Sequence, residues 1–137
     1  MTILPTIYPI KDIVFPTPNT FKLSNGIPVF VFGGLQNEII KIHLQFDSGR
    51  WQENAPLIAD SIATLFKSGT ANQTSYQINN SIDALGVSLS AHAGYNTFNI
   101  NISCLCIYVE QALQILNTCL SDIVFPEDEI DLFKRTH

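Results

Sequence analysis

The histidines and serines are the first side chains to consider for chemistry, because they could ligate a metal or form a hydrolytic pair. His43, His92 and His137 are far apart in the sequence, whereas a structural zinc site needs four converging ligands. His92 shares a strand face with Ser90, but the chain has no G-x-S-x-G turn and no acid placed to orient the imidazole. We therefore predict neither a metal site nor a serine hydrolase.

The cysteines are the next candidates. Cys104, Cys106 and Cys119 are an odd set without C-x-x-C spacing, and their neighbours are apolar. Cys104 and Cys106 are two apart on a predicted strand, so they point to the same side and do not form a normal disulfide. We interpret all three as buried, reduced thiols.

A loop with Arg50 and Trp51 is a third candidate. Trp and Arg are frequent at the energetic centres of protein interfaces, so this pair could anchor a partner. Trp51 packing under its own loop is the alternative, and both interpretations stay open. Asp60 is the single acid of the following helix and falls off its apolar stripe, so we expect it to be solvated or to act as a local cap.

Composition limits the class of protein. A chain of 137 residues has room for one domain. Hydrophobic residues make up 46% of it, while charged residues are only 14%, against about 25% in an average globular protein. The net charge is −5 with scattered Lys and Arg, so we expect no binding to nucleic acid.

Targeting signals are not recognisable. The first residues are mildly apolar but interrupted by Pro5 and Pro9, without a basic segment or a cleavage site. No stretch has the length of a membrane-spanning helix. The compartment is therefore unassigned, with the cytoplasm as the default expectation.

Hydrophobic periodicity predicts the order β-β-β-α-α-β-β-α-α, which is typical of an α+β fold with helices on one face of a mainly antiparallel sheet. Residues 1–19 contain four prolines and predict an extended arm, and residues 20–137 form the predicted domain. Asn25-Gly26 predicts a two-residue type I′ hairpin turn. The predicted strands are 21–23, 28–32, 38–47, 87–91 and 98–106, and the predicted helices are 57–67, 74–85, 109–122 and one opening at Phe125-Pro126.

Each predicted element has an apolar side, and two strands also have an uncharged polar side. The polar side consists of Ser88, Ser90, Asn99, Asn101 and Ser103. The predicted inward residues are Ile40, Ile42, Leu44 and Phe46, then Ile58, Ile62, Leu65 and Phe66, then Ile78, Ile82 and Leu85, then Phe98, Ile100, Ile102, Cys104 and Cys106, and finally Ala112, Leu113, Leu116, Cys119 and Leu120.

Five segments in this order resemble the pitrilysin/insulinase family of zinc metallopeptidases. They are Phe21-x-Leu-x-Asn-Gly-Ile27, Phe46-Asp-Ser-Gly-Arg-Trp-Gln-Glu53, Leu65-Phe-Lys-Ser-Gly-Thr70, Ile82-Asp-x-Leu-Gly-x-x-Leu-Ser90 and Phe125-Pro-x-x-Glu129. Active members of that family carry H-x-x-E-H on the helix that corresponds to residues 57–67. Here Ala59, Ile62 and Ala63 occupy those positions, and no His or Glu lies between Glu53 and Tyr76.

The resemblance implies a non-catalytic domain or subunit that is not active on its own. Its partner would be a homologous catalytic subunit or second domain, and together they would enclose a peptide-binding chamber. Zinc is expected only in that partner, with no cofactor in this chain. The peptide would lie against Ser88, Ser90, Asn99 and Asn101. Family domains are longer, so the domain is expected to be incomplete at its C-terminus and to self-associate.

Two alternatives stay open. Related inactive subunits serve as structural core proteins of a larger complex, and the sequence is compatible with that role. The likeness could also be accidental, in which case the chain would be an unrelated small α+β binding domain.

Overall fold

The computed structural model describes residues 15–33 and 38–136, which belong to two compact units. Each unit is treated by itself below. The predicted arm over residues 1–19 lies largely outside the described residues. The elements are β1 Asn19–Lys22, β2 Pro28–Val31, β3 Ile39–Phe46, α1 Ile58–Leu65, α2 Ser75–Ala84, β4 Ser88–Ala93, β5 Phe98–Leu105, α3 Val109–Ser121 and α4 Glu127–Thr136, with 3₁₀ turns at Arg50–Gln52 and Cys106–Tyr108. The predicted order is confirmed.

The first unit is an antiparallel hairpin of β1 and β2 in which Lys22 pairs with Pro28. The predicted type I′ turn is wrong, because only Gly26 has a positive φ, of 87°. Leu23 O instead accepts from Gly26 N, and Leu23 N donates to Ile27 O, both at 2.9 Å. This is the longer loop in which a type I turn is followed by one left-handed glycine.

The second unit is built on a three-stranded antiparallel sheet with the order β3-β5-β4. β5 is the central strand: all eight of its residues face β3, and those from Phe98 to Ser103 also face β4. Ile102, for example, lies between Ile42 and Leu89. Since side chains alternate along a strand, this register collects the apolar residues of all three strands on one face.

The helices cover that apolar face and form the core, as expected for an α+β fold. Ile100 of β5 is fully buried, and Ile102 beside it is 2% exposed. They share one cluster with Phe66 after α1, Ile78 of α2 and Leu116 of α3. The prediction that helices pack on one face of the sheet is confirmed.

The predicted apolar stripes of α1 and α3 are partly wrong. Ile58 and Ile62 are 38% and 37% exposed, while Ala59 is buried at 8%. α1 lies against β4, and the methyl group of an alanine allows a close approach between helix and strand. On α3, Leu113 and Leu120 are exposed, and the buried residues are Ala112, Leu116 and Cys119.

The termini of α2 and α4 follow the sequence signals closely. Thr74 is the N-cap of α2, where Thr74 Oγ1 accepts from Gln77 N and Gln77 Oε1 accepts from Thr74 N. The sequence predicted that α4 starts at Phe125-Pro126, and the helix begins one residue later, at Glu127. Its first turn contains three acids, which is favourable at the positive end of a helix. None of the helices in the described part of the chain is long and apolar enough to cross a membrane.

Candidate functional site

The side of the three-stranded sheet opposite the helices carries nine polar residues, and we call it the polar face. The four residues predicted to bind peptide, Ser88, Ser90, Asn99 and Asn101, all lie on it. They come from adjacent strands, so the structure brings them together as the alternation predicted. The polar face consists of three rows across β4, β5 and β3: Ser88, Ser103 and Lys41, then Ser90, Asn101 and His43, then His92, Asn99 and Gln45.

The sequence alone did not predict that the β3 side chains belong to the polar face. His43 Nδ1 lies 2.7 Å from Asn101 Oδ1, so the two side chains are hydrogen-bonded across strands. Lys41 brings the single formal charge of the nine residues. The alternation along β3 indicated its polar side, but pairing with β5 is a long-range contact that periodicity does not reveal.

The outer edge of β4 is unpaired among the described strands. Gly94 N donates to Thr97 O at 2.8 Å across the β4–β5 turn. Hydrogen-bonded and non-hydrogen-bonded pairs alternate along an antiparallel ladder. The backbone groups of Leu89, Ala91 and Ala93 therefore point away from β5 and form an open edge.

α1 lies beside β4 and contains the three residues that the sequence analysis predicted at the positions of H-x-x-E-H. Ala59 is buried, Ala63 is half-buried, and Ile62 is 37% exposed. None of these three side chains can ligate a metal or transfer a proton, so the residues present do not fit a zinc ion. Across residues 15–33 and 38–136, no three His, Cys, Asp or Glu side chains are grouped so that they could hold a metal.

The loop from Gly49 to Glu53 packs on the turn between β4 and β5. Arg50 N donates to Gly94 O, and Trp51 N donates to Tyr95 O, each at 3.0 Å. Gly49 is required here, because a Cβ at this position would stand 2.5 Å from Tyr95 O and 2.7 Å from Gly94 O. Loop and turn are therefore joined backbone to backbone.

Trp51 is 75% exposed, so of its two interpretations the one in which it packs under its own loop is wrong. Its ring meets Tyr95 edge to face, with 6.4 Å between centroids. Arg50 Cζ lies 5.6 Å from the centroid of the same Tyr95 ring. The loop thus presents an aromatic pair to solvent.

The same loop is attached to α1 by two acids. Arg50 Nε and Nη2 donate to the two carboxylate oxygens of Asp60 at 2.8 and 2.6 Å. The hydrogen bond to Asp60 raises the pKa of the Arg50 guanidinium. Glu53 Oε1 accepts from Ala59 N at 2.7 Å and satisfies an N-terminal donor of α1. Asp60 is therefore an ion-pair partner of the loop and not simply a solvated side chain.

The three cysteines divide into two kinds. Cys104 and Cys119 are buried, and burial raises the pKa of each thiol above its ordinary value. Cys106 is exposed, because β5 ends at Leu105 and a 3₁₀ turn follows. The interpretation as buried thiols is confirmed for Cys104 and Cys119 and wrong for Cys106.

Solved structures that resemble this fold include three of which the chain covers under a third of the length. A peptidase M16 inactive domain from Pseudomonas fluorescens is 20% identical, with a TM-score of 0.80, over 87% of this chain and 30% of that one. A protease from Helicobacter pylori is 17% identical, with a TM-score of 0.74, over 89% and 30%. The periplasmic protease PqqL from Escherichia coli is 15% identical, with a TM-score of 0.78, over 93% and 15%.

The sequence itself gives the family. A comparison with curated proteins found no match. The family model described as Insulinase (Peptidase family M16) matches residues 35–136, about three quarters of the chain. That match removes the alternative of an unrelated α+β domain. The chain belongs to the insulinase family, peptidase family M16.

Proposed function

We propose that this chain is a non-catalytic M16 domain that pairs with a catalytic domain or subunit and binds peptide without cleaving it. The observation that carries the proposal is the open edge of β4 beside a helix that lacks catalytic side chains. An exposed edge can receive an extended peptide as an additional strand. Ala59, Ile62 and Ala63 supply neither a metal ligand nor a proton-transfer group.

The polar face suits the wall of a chamber that accepts peptides of varied sequence. Its serine, asparagine and glutamine side chains can both donate and accept hydrogen bonds. None of the nine residues is acidic, and Lys41 is the single one with a fixed charge. A peptide lying over this face therefore contacts hydrogen-bonding groups and not a strong electrostatic field.

Pairing with a catalytic partner is supported by apolar side chains that the described part of residues 38–136 leaves exposed. Ile107 is 73% exposed, Leu132 is 52% exposed, and Leu113 and Leu120 exceed 40%. Leu113 and Leu120 are seven residues apart on α3 and lie on the same side of that helix. An exposed apolar surface of this kind is typical of sites that other protein segments cover. We expect self-association of the isolated chain for the same reason, measurable by sedimentation.

Peptide addition to β4 is tested with a fluorescent extended peptide and a matched peptide N-methylated at alternate residues. We expect saturable binding of the first and loss of binding of the second, because methylation removes the amides that would pair with the β4 edge. Equal binding of both peptides would overturn addition as a strand.

A proline variant tests the same edge from the protein side. Ala91→Pro removes an N–H that points away from β5, and an edge strand tolerates proline at such a position. We expect a folded chain by circular dichroism that no longer binds the peptide. Ser90→Pro is the matched control, since it removes an N–H bonded to β5 and should destabilise the sheet itself.

The non-catalytic assignment is tested by metal analysis and a peptide-cleavage assay on the purified chain with added zinc. We expect no stoichiometric zinc and no turnover. Purification from the native source should yield a second chain with H-x-x-E-H. Turnover by this chain alone would overturn the proposal.

A further inference from the structure

Trp51 and Tyr95 form the most exposed ordered aromatic pair of the described second unit. They are 75% and 66% exposed, although Trp is highly buried on average in folded proteins. Their rings meet at 65° in an edge-to-face arrangement. Such a pair offers a large apolar contact area that the fold itself does not use.

The pair is held in place before any ligand arrives. The backbone N–H groups of Arg50 and Trp51 are bonded to the turn that carries Tyr95. Arg50 lies over the Tyr95 ring and is fixed on its other side by Asp60. A preorganised surface loses little conformational entropy when it binds, which favours affinity.

The charges around the pair decide which side chain it suits. The Arg50 guanidinium is compensated by the Asp60 carboxylate at 2.6 Å. Arg50 Cζ also lies 5.6 Å from the centroid of the Tyr95 ring, so its positive charge would repel a cationic ligand group there. The pair therefore favours an uncharged, apolar side chain, above all an aromatic one that can stack or meet it edge to face.

The position of the pair connects it to the open edge of β4. The edge ends at Ala93, and Gly94 and Tyr95 follow directly in the turn. The loop that carries Trp51 is bonded to Gly94 and Tyr95, so both aromatic rings stand at this end of the edge. A strand antiparallel to β4 would place its first residues here.

We infer that Trp51 and Tyr95 form a specificity-determining subsite for a large apolar side chain near the N-terminal end of a peptide added to β4. This inference rests on the proposed function and deepens it. It identifies the ligand class as extended peptides with an aromatic or large aliphatic residue opposite Ala93. The remaining peptide side chains lie along an edge without comparable anchors.

The test uses three blocked hexapeptides of Ser and Thr that differ in one residue. The first has Phe at position one, the second has Ala there, and the third has Phe at position six. We expect the first to bind about tenfold more tightly than the other two, since one aromatic pair contributes about 1.4 kcal/mol. Trp51 is the only tryptophan of the chain, so binding of the first peptide should shift its emission to shorter wavelength.

Variants assign the selectivity to the pair. Trp51→Ala and, independently, Tyr95→Ala should each reduce the preference for the first peptide to about onefold to threefold in an anisotropy assay. Tyr76→Ala is the control, because Tyr76 is equally exposed at 74% but belongs to α2. It should keep the full preference.

Each possible negative result has a different consequence for the subsite and for the proposed function. Equal binding of all three peptides to the unaltered chain overturns the subsite and leaves strand addition to β4 standing. A preference for Phe at position six overturns the antiparallel orientation on which the subsite depends. Binding of none of the peptides removes the proposed function and the subsite with it.

Discussion

The two faces of the three-stranded sheet differ although they are built from the same residues in alternation. On β5, Ile100 and Ile102 are at most 2% exposed, whereas Asn101 between them is exposed and bonded to His43. Three helices cover the first face, and no described helix of the same unit contributes to the second. One face therefore stabilises the fold, and most residues of the other are exposed.

The two faces differ in how freely their residues can be substituted. Groups on the polar face can change with little loss of folding free energy, because they are not part of the packed core. Groups on the apolar face cannot, because packing there is dense. α1 belongs to the densely packed side: Ala59 and Leu65 of the helix and Phe66 directly after it are buried.

The largest expected loss of stability comes from a substitution at the most buried residue of the apolar face. Ile100→Ala should lower the free energy of unfolding by about 2–5 kcal/mol, since it leaves a cavity in the core. Urea denaturation measures this change in the free energy of unfolding. Ser90→Ala, on the polar face next to it, should stay within about 0.5 kcal/mol. Similar losses for both variants would mean that the faces do not differ as described.

A smaller loss is expected where the loop packs on the end of the sheet. Gly49→Ala places a Cβ against three backbone atoms of the β4–β5 turn and should cost about 1–3 kcal/mol. The emission of Trp51 should change as well, because the loop must move. Gly33→Ala is the control, since nothing lies within 4 Å of its added Cβ. An unchanged stability of Gly49→Ala would contradict the close approach.

The capping of α2 tests how the apolar face is covered. Thr74→Ala removes the hydroxyl that accepts from Gln77 N, and we expect a loss of about 1 kcal/mol. Ser81→Ala removes a hydroxyl in the middle of the same helix and should be neutral or slightly stabilising. Thermal unfolding of both variants distinguishes a cap effect from a general effect of substitution on α2.

The smallest effect is a dependence of stability on alkaline pH. Cys104 and Cys119 have a raised thiol pKa in the folded chain, so the folded state holds their protons at a pH where the unfolded state releases them. The stability that they contribute is complete below the ordinary thiol value of 9.0 and is lost as pH rises above it. Unfolding in urea between pH 7 and 10.5 should show this decrease.

Thiol labelling provides the matching control for that pH effect. Cys106 is exposed and should react first with a thiol reagent, while the buried pair reacts only after unfolding. A Cys106→Ala variant should keep the alkaline loss of stability. If that substitution abolished the loss, the buried thiols would not be its cause.

Local chemistry predicted most of the fold. The predicted helix over residues 74–85 agrees with α2, which has Thr74 as its N-cap and is followed by Gly86 with a φ of 61°. The alternation of β5 predicted its buried and polar sides. These features follow from the sequence because they depend on residues a few positions apart.

The predictions that failed depended on contacts between distant segments. The inward side of α1 was misjudged because Ala59 is buried, whereas Ile58 and Ile62 are exposed. Asp60 was expected to be solvated because its partner, Arg50, lies ten residues away across a loop. Periodicity does not contain such pairings, so Trp51 also was left with two interpretations.

The sequence by itself determined the order of the elements, the two-sided character of the strands and the absence of His and Glu from α1, because each is a property of residue types at short spacing. The tertiary structure decided the strand order β3-β5-β4, the open edge of β4 and the exposed Trp51–Tyr95 pair at its end. These depend on which distant segments pack together, and that is settled only when the whole apolar surface is buried at once.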